Sequence, residues 1–189
     1  MSTAAPPLTP DDLLRMGSAG KGYELVNGEL RGTNVSTESS RVGVKVCTRL
    51  ENHVEAMGLG WVFPADTGFR CFRDESGKVR KPDGAFISFA TLPPDQYEPD
   101  GFCVTVPDLV VEVVSPNDLV DEKRDEWLSA GVKVVWIAYP RTRTIQVYQA
   151  GNRPLLLREP DNLTAPDLLP GFSTRVADIF RRPGEAPVQ

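Results

Sequence analysis

The chain has one histidine, His53, and three cysteines, Cys47, Cys71 and Cys103, with no C-x-x-C spacing among its 189 residues. A single histidine excludes multi-histidine zinc centres and would force any Ser-His-Asp machine onto His53. Three scattered cysteines exclude a disulfide framework and a thiolate metal site, and they predict a reducing cytoplasm. Long apolar runs are also missing: the longest, 109–114 and 134–139, are strand-sized and too short for a bilayer. The first residues lack the basic start and apolar stretch of a secretory signal. The expectation is a soluble cytoplasmic chain with no membrane partner. Positive charge is in deficit too, at 21 Lys and Arg against 26 Asp and Glu. A net charge of −5 argues, at first sight, against a nucleic-acid partner.

What is present is enough for one core, since 40% of residues are apolar. The 17 prolines and 16 glycines punctuate rather than dominate. Residues 1–10, with three prolines, read as a flexible arm. Residues 11–182 read as a single domain, and 183–189 as a flexible tail. Thr9-Pro10-Asp11-Asp12 predicts a capped helix start with proline at its first position. Tyr23-Glu24-Leu25-Val26 and Glu29-Leu30-Arg31, joined by Asn27-Gly28, predict a β-hairpin. Apolar residues at Val42, Val46, Leu50, Val54 and Met57 predict a helix over 37–57, stopped by Gly58, with His53 beside the stripe as a helix-surface or packing residue.

Beyond Trp61 the period becomes two. Strands are predicted at 61–63, 68–72 and 84–89, and a proline-rich loop at 91–107. The run 109–114 is apolar at nearly every position and predicts a central strand covered on both faces. Ser115-Pro116-Asn117-Asp118 predicts a second capped helix, running to Ala130 with Gly131 as its stop. Strands at 132–138 and 144–148, a short strand near Leu155 and a turn of helix at 176–180 complete one α/β domain with a mixed central sheet.

Within Val110-Val111-Glu112-Val113-Val114 a carboxylate sits mid-strand between two apolar faces. Burying it unpaired costs several kcal/mol or forces it to hold a proton, so a cation, a basic partner or protonation must compensate. A structural Glu paired with a buried Arg or Lys is the plainer alternative. Asp83, which opens a strand after Pro82, is the natural companion, because one strand and one loop join it to Glu112. Asp108 competes, but it lies four residues from Glu112 on the same strand, roughly 13 Å away at the usual rise, too far to share one ion. Two acids at one point stay ionised only beside positive charge, such as a hard divalent cation. Lys123, at the edge of the Val120/Trp127 stripe of the next helix, can lay its stem along the packing and turn its ammonium toward Glu112. Two acids, a cation and a lysine suit metal-assisted phosphodiester hydrolysis.

The stretches KPDGAFIS, PDLVVEVVSPND and DEKRDEWLSAGVKVVWIAYP, with the earlier YELVNGEL hairpin, resemble the Uma-type family of the PD-(D/E)XK nuclease superfamily over residues 13–180. The resemblance implies a restriction-endonuclease-like α/β core, a mixed central sheet flanked by helices with an N-terminal hairpin. It also implies Asp83 as the PD acid, Glu112 as the acid of the third motif, and Mg²⁺ (or Mn²⁺) as cofactor. The usual E-x-K lysine position is Val114 here, and Lys123 is the proposed replacement. Ser40 and Arg41 stand where the family often has a histidine, and Tyr139-Pro140 where it commonly has Asp-Pro. Glu24 and Glu38 are candidate additional acids.

The leading reading is therefore a Mg²⁺-dependent DNA endonuclease with Asp83, Glu112 and Lys123 as its site, Asp83 and Glu112 holding the metal. A homodimer is expected if both strands are cut. A non-catalytic descendant that binds nucleic acid or protein is the alternative, and a two-carboxylate glycosidase fits poorly. The acid excess is concentrated near the site: residues 91–118 hold six acids and no Lys or Arg. Residues 70–81 carry five basic residues against two acidic. Arg70, Arg73, Lys78 and Arg80 are accordingly expected to form a DNA-binding face.

Overall fold

A computed structural model describes residues 6–33, 35–73, 75, 77–116 and 118–186. Its centre is a six-stranded sheet formed by β3 (Gly60–Pro64), β4 (Gly84–Ser88), β5 (Leu109–Val113), β6 (Val134–Tyr139), β7 (Thr144–Gln149) and β8 (Leu155–Leu157), in that spatial order. Only β5 and β6 run parallel, as the α3 crossover (Val120–Ala130) between them requires, so the sheet is mixed. The hairpin of β1 (Tyr23–Val26) and β2 (Glu29–Gly32) stands apart from this sheet, as does the small pair β9 (Asn162–Leu163) with β10 (Thr174–Arg175). The hairpin turns through Asn27 and Gly28, both at positive φ, as a two-residue primed turn demands.

The sheet faces are dressed by sequence period. On β5, Leu109, Val111 and Val113 join Val42, Val46, Leu50 and Val54 of α2 (Thr37–Met57) in one core cluster. Val110 faces the other way, into a cluster with Trp127 of α3, Phe69 and Ile137. Helix α2 begins with a reciprocal capping box between Ser36 and Ser39 and ends at Gly58 in the left-handed conformation. The helix α1 (Pro10–Arg15) is capped in the same way by Thr9 and Asp12, and α4 (Val176–Phe180) packs against α2. Residues 1–5 of the expected arm and 187–189 of the expected tail lie outside the described residues; at Leu8 the N–H donates to the Gly28 carbonyl of the hairpin turn. His53 is a packing residue, with Nε2 3.0 Å from the Pro170 carbonyl and its ring edge-on to Phe172.

Two expected elements come out differently. Residues 68–72 do not join the sheet ladder. Phe69 instead makes isolated bridges to Arg80 and Cys103 while its ring packs against Phe63 and Trp127. The second helix starts at Val120 without a side-chain cap, later than the Ser-Pro signal predicts. The reason is that the Ser115 hydroxyl is engaged elsewhere: it donates to Ser39 Oγ at 2.8 Å and accepts the Ser36 N–H at 3.3 Å. It joins the end of β5 to the start of α2 instead of capping α3. Asn117 of that signal lies outside the described residues.

Candidate active site

Asp83 precedes β4, whose antiparallel register with β5 pairs Gly84 with Val111. One further step along that register sets Asp83 opposite Glu112. The regular ladder has ended there, and the Asp83 side chain continues it: Oδ2 accepts the Val113 N–H at 2.7 Å. Close packing fixes the position, since a Cβ on Gly84 would stand 2.7 Å from Cys47 Sγ of α2. Burial, aided by the charges of Asp118 and Glu24, pushes the Asp83 carboxyl up to about 6 against the opposing pull of the Val113 N–H and Lys123.

Glu112 is 1% exposed, on the α3 side of β5. The Trp127 indole N–H donates to its Oε1 at 2.8 Å, and Lys123 Nζ lies 3.5 Å from its Oε2. Burial dominates its titration and, with Asp83 and Glu24 nearby, pushes it up to about 8 despite the Lys123 charge and the Trp127 donor. Lys123 is shared: Glu24 Oε1, at 3.3 Å, is slightly nearer to its ammonium than Glu112 is. Burial works against that ammonium, but the surrounding Glu112, Glu24, Asp118 and Asp83 outweigh it and hold the lysine charged above its usual range.

Glu24, from the buried side of the hairpin, accepts the Lys81 N–H at 2.8 Å and Arg80 Nη1 at 2.9 Å. Arg80 is 3% exposed and also meets Glu126 at 2.6 Å and Glu122 at 2.9 Å, both from α3. Lys78, equally buried, reaches Glu126 at 2.6 Å and Glu75 at 2.8 Å. This corrects the expected basic face. Lys78 and Arg80 are interior cations neutralised by carboxylates, while Arg70 and Arg73 are exposed, with Arg70 3.8 Å from Asp11. Glu38 also stands apart from the acid cluster: it is held by Arg41 at 2.7 Å near the start of α2. Asp108 is a structural pin, accepting Ser88 N–H, Thr91 Oγ1 and Lys133 Nζ.

A narrow cleft of ≈130 Å³ opens over the cluster, lined by Glu24, Lys81, Asp83, Ser115, Asp118 and Lys123. Glu112 lies behind Lys123 rather than on the cleft wall. The half-buried carboxylates of Asp83 and Asp118 are oxygen donors of the kind a hard cation takes, although among the described residues no three His, Cys, Asp or Glu side chains already converge as a ligand set. The roles of Trp127 and Arg80 were not legible from the sequence. The only signal was that Trp127 falls one turn after Lys123 on the sheet-facing stripe of α3.

Residues 10–177 match the Uma2 family, described as "Putative restriction endonuclease". The fold is also that of a crystal structure described as a putative nuclease belonging to DUF820 from Anabaena variabilis ATCC 29413. The TM-score is 0.75 at 17% sequence identity, over 92% of this chain and 98% of that one. No curated protein matches the chain.

Proposed function

Because the chain belongs to the Uma2 family, described as putative restriction endonucleases, we propose that it is a divalent-metal-dependent DNA endonuclease acting through Asp83, Glu112 and Lys123. The observation that carries this reading is the meeting of two carboxylates from adjacent strands with one buried ammonium, 3.5 Å from Glu112, beneath a cleft. Asp83 and Glu112 would hold Mg²⁺ or Mn²⁺, with water completing its shell. When bound, the cation would supply Lewis-acid polarisation of a phosphate and lower the pKa of an attacking water.

The chain's own groups do the rest. Hydrolysis adds a water oxygen to phosphorus, breaks one P–O ester bond, releases the water's proton and leaves the departing oxygen to take one up. Lys123, held charged, cannot serve as the base; its part is to stabilise the extra negative charge on the phosphate. Asp83, on the cleft wall and ionised above about pH 6, orients water through the oxygen not occupied by the Val113 N–H. Glu24, pinned by Arg80, keeps Lys123 in place.

A plasmid-nicking assay tests the reading. The wild type is expected to cleave with Mg²⁺ or Mn²⁺ and to stop with EDTA. Asp83→Asn and Glu112→Gln, folded by circular dichroism, reduce cleavage at least ~100-fold, the range typical of lost positioned catalytic groups. Cleavage that survives in both variants overturns the site.

One observation favours a second reading, a non-catalytic binding module: Glu112 is enclosed, with Trp127 and Lys123 already on its two oxygens. Calorimetric titration with Mn²⁺ separates the two. Heat that vanishes in Asp83→Asn supports the metal site, and no heat in the wild type supports the module.

A further inference from the structure

The acid cleft does not end at Asp83. Ser115 and Asp118 line it and also line a larger neighbouring groove of ≈790 Å³, within the size range of ligand-binding clefts. The groove lies where the parallel strands β5 and β6 end, just past the last rung, in which the Val114 N–H donates to the Ala138 carbonyl. In open α/β sheets the crevice outside the carboxyl ends of parallel strands is the usual ligand position. Its apolar wall is Val114, Pro116 and Pro140, with Tyr139 alongside, and Arg141 and Arg182 stand at its rim.

The rim carries two exposed arginines that no carboxylate holds closely, whereas several other arginines are tightly paired. Arg31, Arg80, Arg124 and Arg143 are each held within 3 Å of a carboxylate. Arg141, in the turn between β6 and β7, is exposed and has no ion-pair partner among the described residues. Arg182 is 64% exposed and only loosely associated, 3.7 Å from Glu38. Glu38 itself is already satisfied by Arg41 at 2.7 Å. The groove's lining charges are thus two arginines, Arg141 and Arg182, and two acids, Glu38 and Asp118, of which Glu38 is already held by Arg41 from outside the lining. An apolar wall bordered by exposed arginines, continuous with a phosphodiester-cleaving site, suits a nucleotide: a flat base with a phosphate beside it.

We propose that this groove is the subsite for the nucleotide adjoining the scissile phosphate, its base against Val114, Pro116 and Pro140 and its phosphate met by Arg141 and Arg182. The assignment rests on the nuclease reading and adds to it the path of the bound strand. That path leaves the acid cleft over the β5/β6 end of the sheet rather than across the Arg70 and Arg73 side. A base seated there is out of its stack, so the strand is unpaired or locally opened at that nucleotide.

The test is fluorescence anisotropy with labelled 20-nucleotide DNA, single-stranded and duplex, in Ca²⁺ and on the Asp83→Asn background, so that no cleavage intervenes. The comparison variants are Arg141→Glu with Arg182→Glu, and Arg153→Glu. Arg153 lies in the β7–β8 turn, at the far end of β7 from Arg141. The double variant is expected to weaken binding of whichever DNA is held by at least ~10-fold, with Arg153→Glu within about two-fold of the parent. Replacing the nucleotide next to the cleavage position by an abasic residue, which keeps the phosphate, is expected to weaken binding to the parent while leaving the loss in the double variant; binding to the parent that does not weaken overturns the seating of a base in the groove. Unchanged binding in the double variant, or an equal loss in Arg153→Glu, overturns the groove assignment while leaving the nuclease reading standing. If the wild type neither binds nor cuts DNA, the nuclease reading fails and the groove assignment fails with it.

Discussion

A carboxylate enclosed at the centre of a sheet keeps its proton unless a cation accompanies it, and Glu112 has only Lys123, which it shares with Glu24. Without a divalent cation the cluster at neutral pH holds an ionised Asp83, a charged Lys123 and a protonated Glu112. This has a consequence for stability. Asp83 rises from 3.8 to about 6 and Glu112 from 4.5 to about 8, so the fold favours the protonated form of each. The unfolded chain releases these protons at lower pH. Their contribution is therefore complete below about pH 4 and is lost as pH climbs through 6 and then 8. In EDTA, the thermal midpoint of the wild type is expected to fall steadily between pH 5 and pH 9. In Glu112→Gln the part of that fall above pH 6 is expected to disappear, because the amide has no proton to lose. A midpoint equally pH-dependent in the variant would mean that Glu112 is not the group titrating. Glu112 was legible in the sequence because it is the lone acid in an apolar run. Arg80 was not, because its burial depends on Glu122 and Glu126 arriving from a helix more than forty residues away.

At the scale of elements, local signals carried the fold wherever a turn or cap is self-contained. Asn27-Gly28 closes the hairpin, Gly58 ends α2, and the apolar run 109–113 is the covered strand. They failed where a side chain expected to act locally is recruited at long range, as Ser115 is by Ser36 and Ser39. The seating of α2 on β4 shows how such contacts place the site. Gly84 lies directly beneath Cys47, and the residue before it is Asp83. Gly84→Ala keeps an accessible backbone conformation but drives a methyl to 2.7 Å from Cys47 Sγ, backed by Val111 at 3.6 Å. Overpacking of this kind costs about 1–3 kcal/mol. Chemical denaturation is expected to show that loss in Gly84→Ala, and a substantial recovery in the double variant Gly84→Ala/Cys47→Ala measured against Cys47→Ala. Additive losses would instead place the strain at Val111.

For the whole molecule, the net charge of −5 and the buried fate of Lys78 and Arg80 bear on the same question. A basic face of Arg70, Arg73, Lys78 and Arg80 would neutralise several phosphates and make DNA affinity fall steeply with salt, by about 0.9 in log–log slope per phosphate contact. Two of those four cations are instead consumed inside the protein by Glu24, Glu75, Glu122 and Glu126. The charges left for DNA are the rim arginines of the groove and the few cations of the acid cleft, on a chain whose overall field repels polyanions. Binding should therefore depend on contacts close to the site rather than on long-range attraction. Measured between about 50 and 300 mM KCl, the slope is expected to be shallow, on the order of −2 to −4. Arg141→Glu with Arg182→Glu is expected to flatten it by about 2, and Arg73→Glu to leave it nearly unchanged. A slope steeper than about −7, or one that Arg73→Glu reduces as much as the rim variants do, would restore an extended basic face and move the DNA path back to the Arg70 and Arg73 side.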